Sequence, residues 1–171
     1  MKMKKWVIQE TDSGLRDKLV KELGISPILA NLLLNRGLRD PQEITEFLNP
    51  SLQQLSSPFE MVNMGAAVER ILEAVEKKEK IVIYGDYDVD GICASVMLYQ
   101  GLQVLQAEVD YYVPDRMEEG YGVNTTALRA IFEDGARLLV TVDCGISSWQ
   151  EVAAAKSWGM GVIVTDHHQL P

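Results

Sequence analysis

With 171 residues and a formal charge of −9, the chain is long enough to bury the core of one ordinary domain, with or without a small appendage. A composition of 47 % hydrophobic and 24 % charged residues excludes a disordered chain. The net charge argues at first against a nucleic-acid binder, because such domains carry a basic face. Its distribution is uneven, however. Residues 1–80 hold 12 basic and 12 acidic side chains, whereas residues 81–171 hold 4 and 13, so the second half carries the whole excess. Cys93 and Cys144 are too few for a disulfide framework, and they lack the close Cys or His partners of a zinc site. The basic start Met1 to Lys5 is followed only by Trp6-Val7-Ile8, too short for a signal sequence or a membrane span, so a reducing cytoplasm is the expected setting.

Short helices are expected over the first 60 residues. Leu15 to Leu23 ends at Gly24, a helix stop, and Ser26-Pro27 opens a second helix in the favoured cap-then-proline order. The apolar stretch Ile28 to Leu34 closes at Asn35-Arg36-Gly37. Asp40-Pro41 then begins a third helix, which Asn49-Pro50 stops after Leu48. Nothing in this half places two reactive groups together. From Asn63 the pattern changes: Met64, Ala67, Val68, Ile71, Leu72 and Val75 recur at helical spacing and lead to a charged turn at 76–80. The run Ile81 to Tyr84 reads as a buried strand, followed by a helix from about Ile92 to Leu105. Further strands are expected at Val109 to Val113, Leu138 to Val142 and Val162 to Thr165, separated by helices at Thr125 to Phe132 and Ser147 to Trp158. Such alternation predicts an α/β fold, a parallel sheet with flanking helices and right-handed crossovers, preceded by a small helical N-terminal region. The organisation expected is therefore a helical region at 1–60 and a sheet domain at 61–171.

Each predicted strand runs into an acidic residue. The first meets Asp86, Asp88 and Asp90, the second Asp115-Arg116, the third Asp143 and the fourth Asp166-His167-His168. In an open parallel sheet the carboxyl ends of all strands share one edge, where such folds bind ligands. Six carboxylates and two imidazoles would thus converge on one rim, and unpaired anions that close repel by on the order of several kcal/mol. A metal ion relieves this, and carboxylates with a few imidazoles suit Mn²⁺ or Mg²⁺ better than zinc or copper. Singly, each Asp also fits a helix cap or a turn. The Asp-x-Asp-x-Asp-Gly string resembles the start of an EF-hand loop, but Met97 stands where the bidentate Glu belongs. A phospho-acceptor pocket would gather aspartates similarly without requiring adjacent histidines.

The ordered set GDYDVDG, VDCG and TDHH, each after a hydrophobic strand, resembles the signature motifs of the DHH phosphoesterases. NRG at 35–37, FLNP at 47–50, the Pro58 segment, and VPDR followed by GYGVN at 120–124 resemble the N-terminal part of the RecJ-type single-stranded-DNA-specific exonucleases. That resemblance implies a two-metal centre holding two divalent cations, with Mn²⁺ favoured over Mg²⁺. Asp88 and Asp90 are implied as ligands to different ions, Asp143 as the bridging ligand, His167 as a ligand to the second metal and Asp86 as a contributor. Asp166 is expected to orient an imidazole, and His168 to face phosphate or the transition state. Arg116, one of four basic side chains in its half, would pair a phosphate bidentately, or else an adjacent Asp115 or Glu118. Gly120, Tyr121, Gly122 and Asn124 are candidates for substrate contact, through close backbone approach, stacking and helix N-terminal amides; a glycine-rich turn with an Asn cap and a packed aromatic fits the same residues.

The implied activity is 5′ to 3′ hydrolysis of single-stranded DNA to mononucleotides in repair and recombination, with helicases or single-strand-binding proteins as partners and no membrane. The alternatives are a DHH phosphoesterase acting on oligonucleotides, cyclic dinucleotides or pyrophosphate, and a non-catalytic scaffold. Two departures stand out. Some relatives carry a His four residues before the first Asp of the Asp-x-Asp pair, where this chain has Tyr84. The family also has a further metal-binding Asp and a DNA-binding domain downstream of the DHH motif, so an incomplete domain, truncated after that motif, is expected.

Overall fold

A computed structural model describes residues 12–170, which form two compact units divided after Ser57. The basic start Met1 to Lys5, the apolar run Trp6 to Ile8 and the terminal Pro171 lie outside the described residues.

Local capping chemistry sets the first unit. Helix α1 (Ser13–Leu23) begins where Asp12 Oδ1 accepts from the Leu15 amide at 3.0 Å, and it ends on Gly24 at φ 65°. Helix α2 (Pro27–Asn35) is capped by Ser26 and α3 (Pro41–Leu48) by Asp40, both with proline in the first turn. Leu19, Ala30, Leu33, Leu34 and Ile44 close a small core among the three helices. A one-turn 3₁₀ helix at Leu52–Gln54 follows them, and another at Pro58–Glu60 opens the second unit; both are too short to show a period in the sequence.

The second unit is a parallel sheet between two pairs of helices. Its elements are α4 (Met64–Glu76), β1 (Lys80–Gly85), α5 (Val89–Val104), β2 (Val109–Tyr112), α6 (Thr125–Glu133), β3 (Ala136–Val142), α7 (Trp149–Ser157) and β4 (Gly161–Thr165). The strands lie in the order β2-β1-β3-β4, every pair parallel, as the alternating pattern predicts. Side chains alternate across the pleat. Ile81, Ile83, Leu138 and Val140 pack with Ala74 of α4 and Leu102 of α5 on one face. Val82, Tyr84 and Leu139 pack with Leu128 of α6 and Ala155 of α7 on the other. Chain order reverses between β1 and β3, and the crevice beyond the carboxyl ends at such a switch point is where open α/β sheets take ligands.

Helix α5 begins at Val89, three residues before the expected Ile92, because Asp88 caps it. Its first turn presses on the end of β1: a Cβ added at Gly91 would stand 2.6 Å from the Asp86 carbonyl oxygen. Among the described residues no helix is long and apolar enough to cross a membrane. Gly91→Ala is accordingly expected to cost about 1–3 kcal/mol through overpacking against backbone, read as a lower urea midpoint; an unchanged midpoint would contradict this contact. Leu128→Ala, at a fully buried position, is expected to cost about 2–5 kcal/mol in the same measurement.

Candidate metal centre

Register brings the acidic residues together. Gly85 of β1 pairs with Val142 of β3, and Val142 with Thr165 of β4. The next residue in each strand direction is Asp86, Asp143 or Asp166, so three aspartates leave three adjacent strands at one level.

Each is held differently. Asp86 is buried and accepts from the Tyr87 amide at 2.7 Å. Asp88 Oδ1 accepts from the Asp90 and Gly91 amides at 2.9 and 3.0 Å. Those bonds, the Gly91 one foremost, hold its carboxyl below the usual range. Asp143 sits at φ 60°, a left-handed conformation that costs a non-glycine residue about 1–2 kcal/mol. Its amide donates to the Thr165 carbonyl at 3.0 Å, while Thr141 Oγ1 donates to the Cys144 carbonyl at 2.8 Å and Thr165 Oγ1 to the Thr141 carbonyl at 2.7 Å. These bonds from β3 and β4 fix the strained turn. Gly145, at φ 105°, completes it, since a Cβ there would meet Thr141 Oγ1 at 2.8 Å. Asp166 Oδ2 accepts from the Ile146 amide at 2.9 Å, and Oδ1 from the His168 amide at 3.0 Å. Burial opposes its ionisation, yet the His168 and Ile146 amides outweigh that and keep the carboxyl low. Its Oδ1 also lies 2.7 Å from His168 Nδ1, a contact that raises the imidazole above its ordinary value.

Among the described residues, two groups of potential ligands result. Asp86, Asp88 and Asp143 offer carboxylate oxygens within 4.8 Å of one another; an Asp143 oxygen and ring nitrogens of His167 and His168 lie equally close together, and Asp143 belongs to both groups. Burial, then the charges of Asp90 and Asp88, push the Asp143 carboxyl up. Its Oδ1 is buried without an aligned hydrogen bond, although His167 Nε2 stands 2.9 Å away. A buried oxygen in that state, amid carboxylates and imidazoles, fits a divalent cation of the Mn²⁺ or Mg²⁺ type.

Not every candidate joins these groups. Asp90 lies in the first turn of α5, its Oδ2 3.6 Å from His167 Nε2 and outside both. Asp115 Oδ1 caps its own turn, accepting from the Met117 amide at 2.8 Å and the Glu118 amide at 3.2 Å. The Arg116 guanidinium lies 5.3 Å from the Tyr87 ring centroid, a cation–π contact in place of an ion pair with Asp115 or Glu118. Tyr121 sets its ring edgewise to Tyr87 and His168, with its hydroxyl 3.5 Å from His168 Nδ1; burial, then the Asp86 charge, raises that phenol to about 12. Gly120 and Gly122 adopt φ 78° and 88°, which only glycine does freely. Asn124 caps α6 by accepting from the Ala127 amide at 2.7 Å, and its amide nitrogen donates to Glu119 and Tyr84, so both ends are engaged within the chain. Tyr84 is fully buried and donates to the Gly122 carbonyl at 3.1 Å, away from both ligand groups. A cleft of about 630 Å³ opens beside the centre, bordered by Tyr121, Gly122, Gly145, Ile146, Asp166 and His168. Thr141 and Glu119 carry no motif signal, and Thr165, though it opens the TDHH motif, is not singled out by the sequence; the roles of all three arise from the turns they clamp.

Comparison with known proteins agrees with this geometry. The model of the DHH family, N-terminal domain, matches residues 80–171. The single-stranded-DNA-specific exonuclease RecJ of Bacillus subtilis is 43 % identical over 96 % of this chain, and that of Haemophilus influenzae 37 % over 85 %. These matches span 21 % and 25 % of the two relatives, so the chain covers about a quarter or less of their length. Among solved structures, RecJ from Thermus thermophilus in complex with Mn²⁺ superposes with a TM-score of 0.67 at 27 % identity, covering 96 % of this chain and 22 % of that one. A manganese-bound exonuclease RecJ gives 0.59 at 39 % identity, over 62 % of this chain and 27 % of that one. With the family model matched over more than half of its length and the parallel sheet in place, the chain belongs to the DHH family.

Proposed function

We propose that this chain carries a two-cation phosphodiesterase centre of a RecJ-type exonuclease, acting 5′ to 3′ on single-stranded DNA in the cytoplasm. The observation behind this reading is the pair of ligand groups sharing Asp143 at the sheet's switch point. Asp86, Asp88, Asp90, Asp143 and His167 are the proposed metal ligands. When bound, two Mn²⁺ or Mg²⁺ ions supply the positive charge that polarises a phosphodiester and acidifies a water. Asp166 holds the His168 ring for phosphate; Tyr121 and Gly122 border the cleft while Arg116 lies against Tyr87, and these, with Gly120 and Asn124, are the proposed contacts for a strand. On this reading the described residues up to 60 belong to a helical N-terminal region and those from 61 onward to the N-terminal part of the DHH domain. Helicases or single-strand-binding proteins are the partners this activity would call for in repair and recombination.

Asp143→Asn tests the centre without disturbing the turn, since Asn tolerates the left-handed backbone. Calorimetry is expected to show Mn²⁺ binding by the wild-type chain and none by the variant. His167→Ala should remove one of the two binding events. Because Asn relieves a buried, crowded charge, the metal-free variant should melt roughly 2–4 °C above wild type, the shift that 1 kcal/mol gives at this size. Wild-type-like Mn²⁺ binding by Asp143→Asn would exclude the shared ligand. For the substrate, the complete gene product assayed on 5′-labelled single strands, duplexes and dinucleotides should degrade single strands preferentially. A preference for dinucleotides would instead place it among the small-substrate phosphoesterases.

A further inference from the structure

The loop between β2 and α6 holds Arg116 and Tyr121, yet neither is fixed by a bond to the sheet. One carboxylate ties the loop's two ends together. Glu119 Oε1 accepts from the Tyr112 hydroxyl at 2.6 Å and from Asn124 Nδ2 at 2.9 Å, and Oε2 accepts from the Asp115 amide at 2.8 Å. The three donors stand at the end of β2, at the start of the loop and at the cap of α6. Tyr112 stacks on Tyr84 with ring centroids 5.2 Å apart, and the Tyr84 hydroxyl bonds Gly122 and Asn124. The loop is thus anchored through Glu119 to the fully buried Tyr84 of the central strand. The Tyr112 bond foremost, and then the Asp115 amide, lower the Glu119 carboxyl, in keeping with an acceptor of three donors.

We infer that Glu119 is a positioning residue: its carboxylate, gathering Tyr112, Asp115 and Asn124, shapes residues 115–124 so that Arg116 and Tyr121 stand beside the metal rim. The role of those two side chains rests on the exonuclease reading; the anchoring of the loop does not. Tyr84 belongs to the same device. From the floor of the sheet its phenol braces the loop from below.

Gln is nearly isosteric with Glu but presents an NH₂ where one donor already points, so Glu119→Gln breaks the arrangement without removing volume. Tyr112→Phe removes a single donor and gives a milder case. Two readouts separate the anchor from the function. In the metal-free chain, trypsin cleavage after Arg116 should quicken by about tenfold in Glu119→Gln and less in Tyr112→Phe, the size of a lost charge-assisted bond. Cleavage after Arg129, inside α6, and the urea midpoint should change less than about twofold and hardly at all, respectively. In the complete gene product, KM for a single-stranded oligonucleotide should rise about tenfold, with kcat and Mn²⁺ affinity nearly unchanged, the signature of lost binding at a distance from the reacting atoms. Unchanged cleavage after Arg116 would overturn the anchor. A loss confined to kcat or to Mn²⁺ affinity would overturn the positioning role. If the wild-type protein leaves single strands intact, the exonuclease reading fails by itself, and the proteolysis arm still decides whether Glu119 holds the loop.

Discussion

The centre depends on the parallel ladders that hold β1, β3 and β4 in step. Gly85, Val142 and Thr165 lie side by side, so the aspartate after each strand emerges at the same height. Because side chains alternate with a period of two, a slip of one residue in any ladder would turn an aspartate from the rim toward a helix layer. The apolar faces forbid that slip. Ile81 and Ile83 have α4 and α5 on one side, while Val82 and Tyr84 have α6 and α7 on the other. Hydrophobic packing well below the edge therefore sets the spacing of the charges above it.

Those charges repel, and the fold holds them with separate devices. Asp88 and Asp90 occupy the cap and first turn of α5, where backbone amides and the positive end of the helix favour anions. Asp166 is satisfied by two amides and an imidazole. Among the described residues Asp143 has no amide on its carboxylate and only the His167 imidazole beside it: it is buried, its carboxyl is pushed up, and its backbone is strained. Strain that survives at a buried, under-satisfied group is a mark of a working site. Five of the 13 acidic residues of the second half lie at this rim, so the charge of −9 is no argument against a phosphate-bearing ligand once cations are present.

The strands, the helices and the convergence of acidic residues are legible in the sequence, because apolar runs and flanking turn residues are local signals. So are the helix caps at Ser26 and Asp40. What escapes a sequence reading depends on neighbours in space. The left-handed turn at Asp143 comes from bonds made by Thr141 and Thr165, which no spacing rule singles out. The early start of α5 places Asp90 in a helix, and it follows from the Asp88 cap together with the close seating of Gly91 on Asp86. Asp115 belongs with the rim by its place at a strand end, yet its own turn captures it. Tyr84 is fully buried in β1, and its hydroxyl reaches across to Gly122, a contact 38 residues away in the chain.

A carboxylate common to two ligand groups also has a thermodynamic meaning. On the proposed reading, filling either group changes the charge and the geometry of Asp143, and so changes the affinity of the other. Linkage requires that influence to be mutual and equal in free energy. The two positions cannot be tuned independently. A substitution on the Asp86 side would be felt on the histidine side, and the strained turn at Asp143 is the hinge through which each reports to the other.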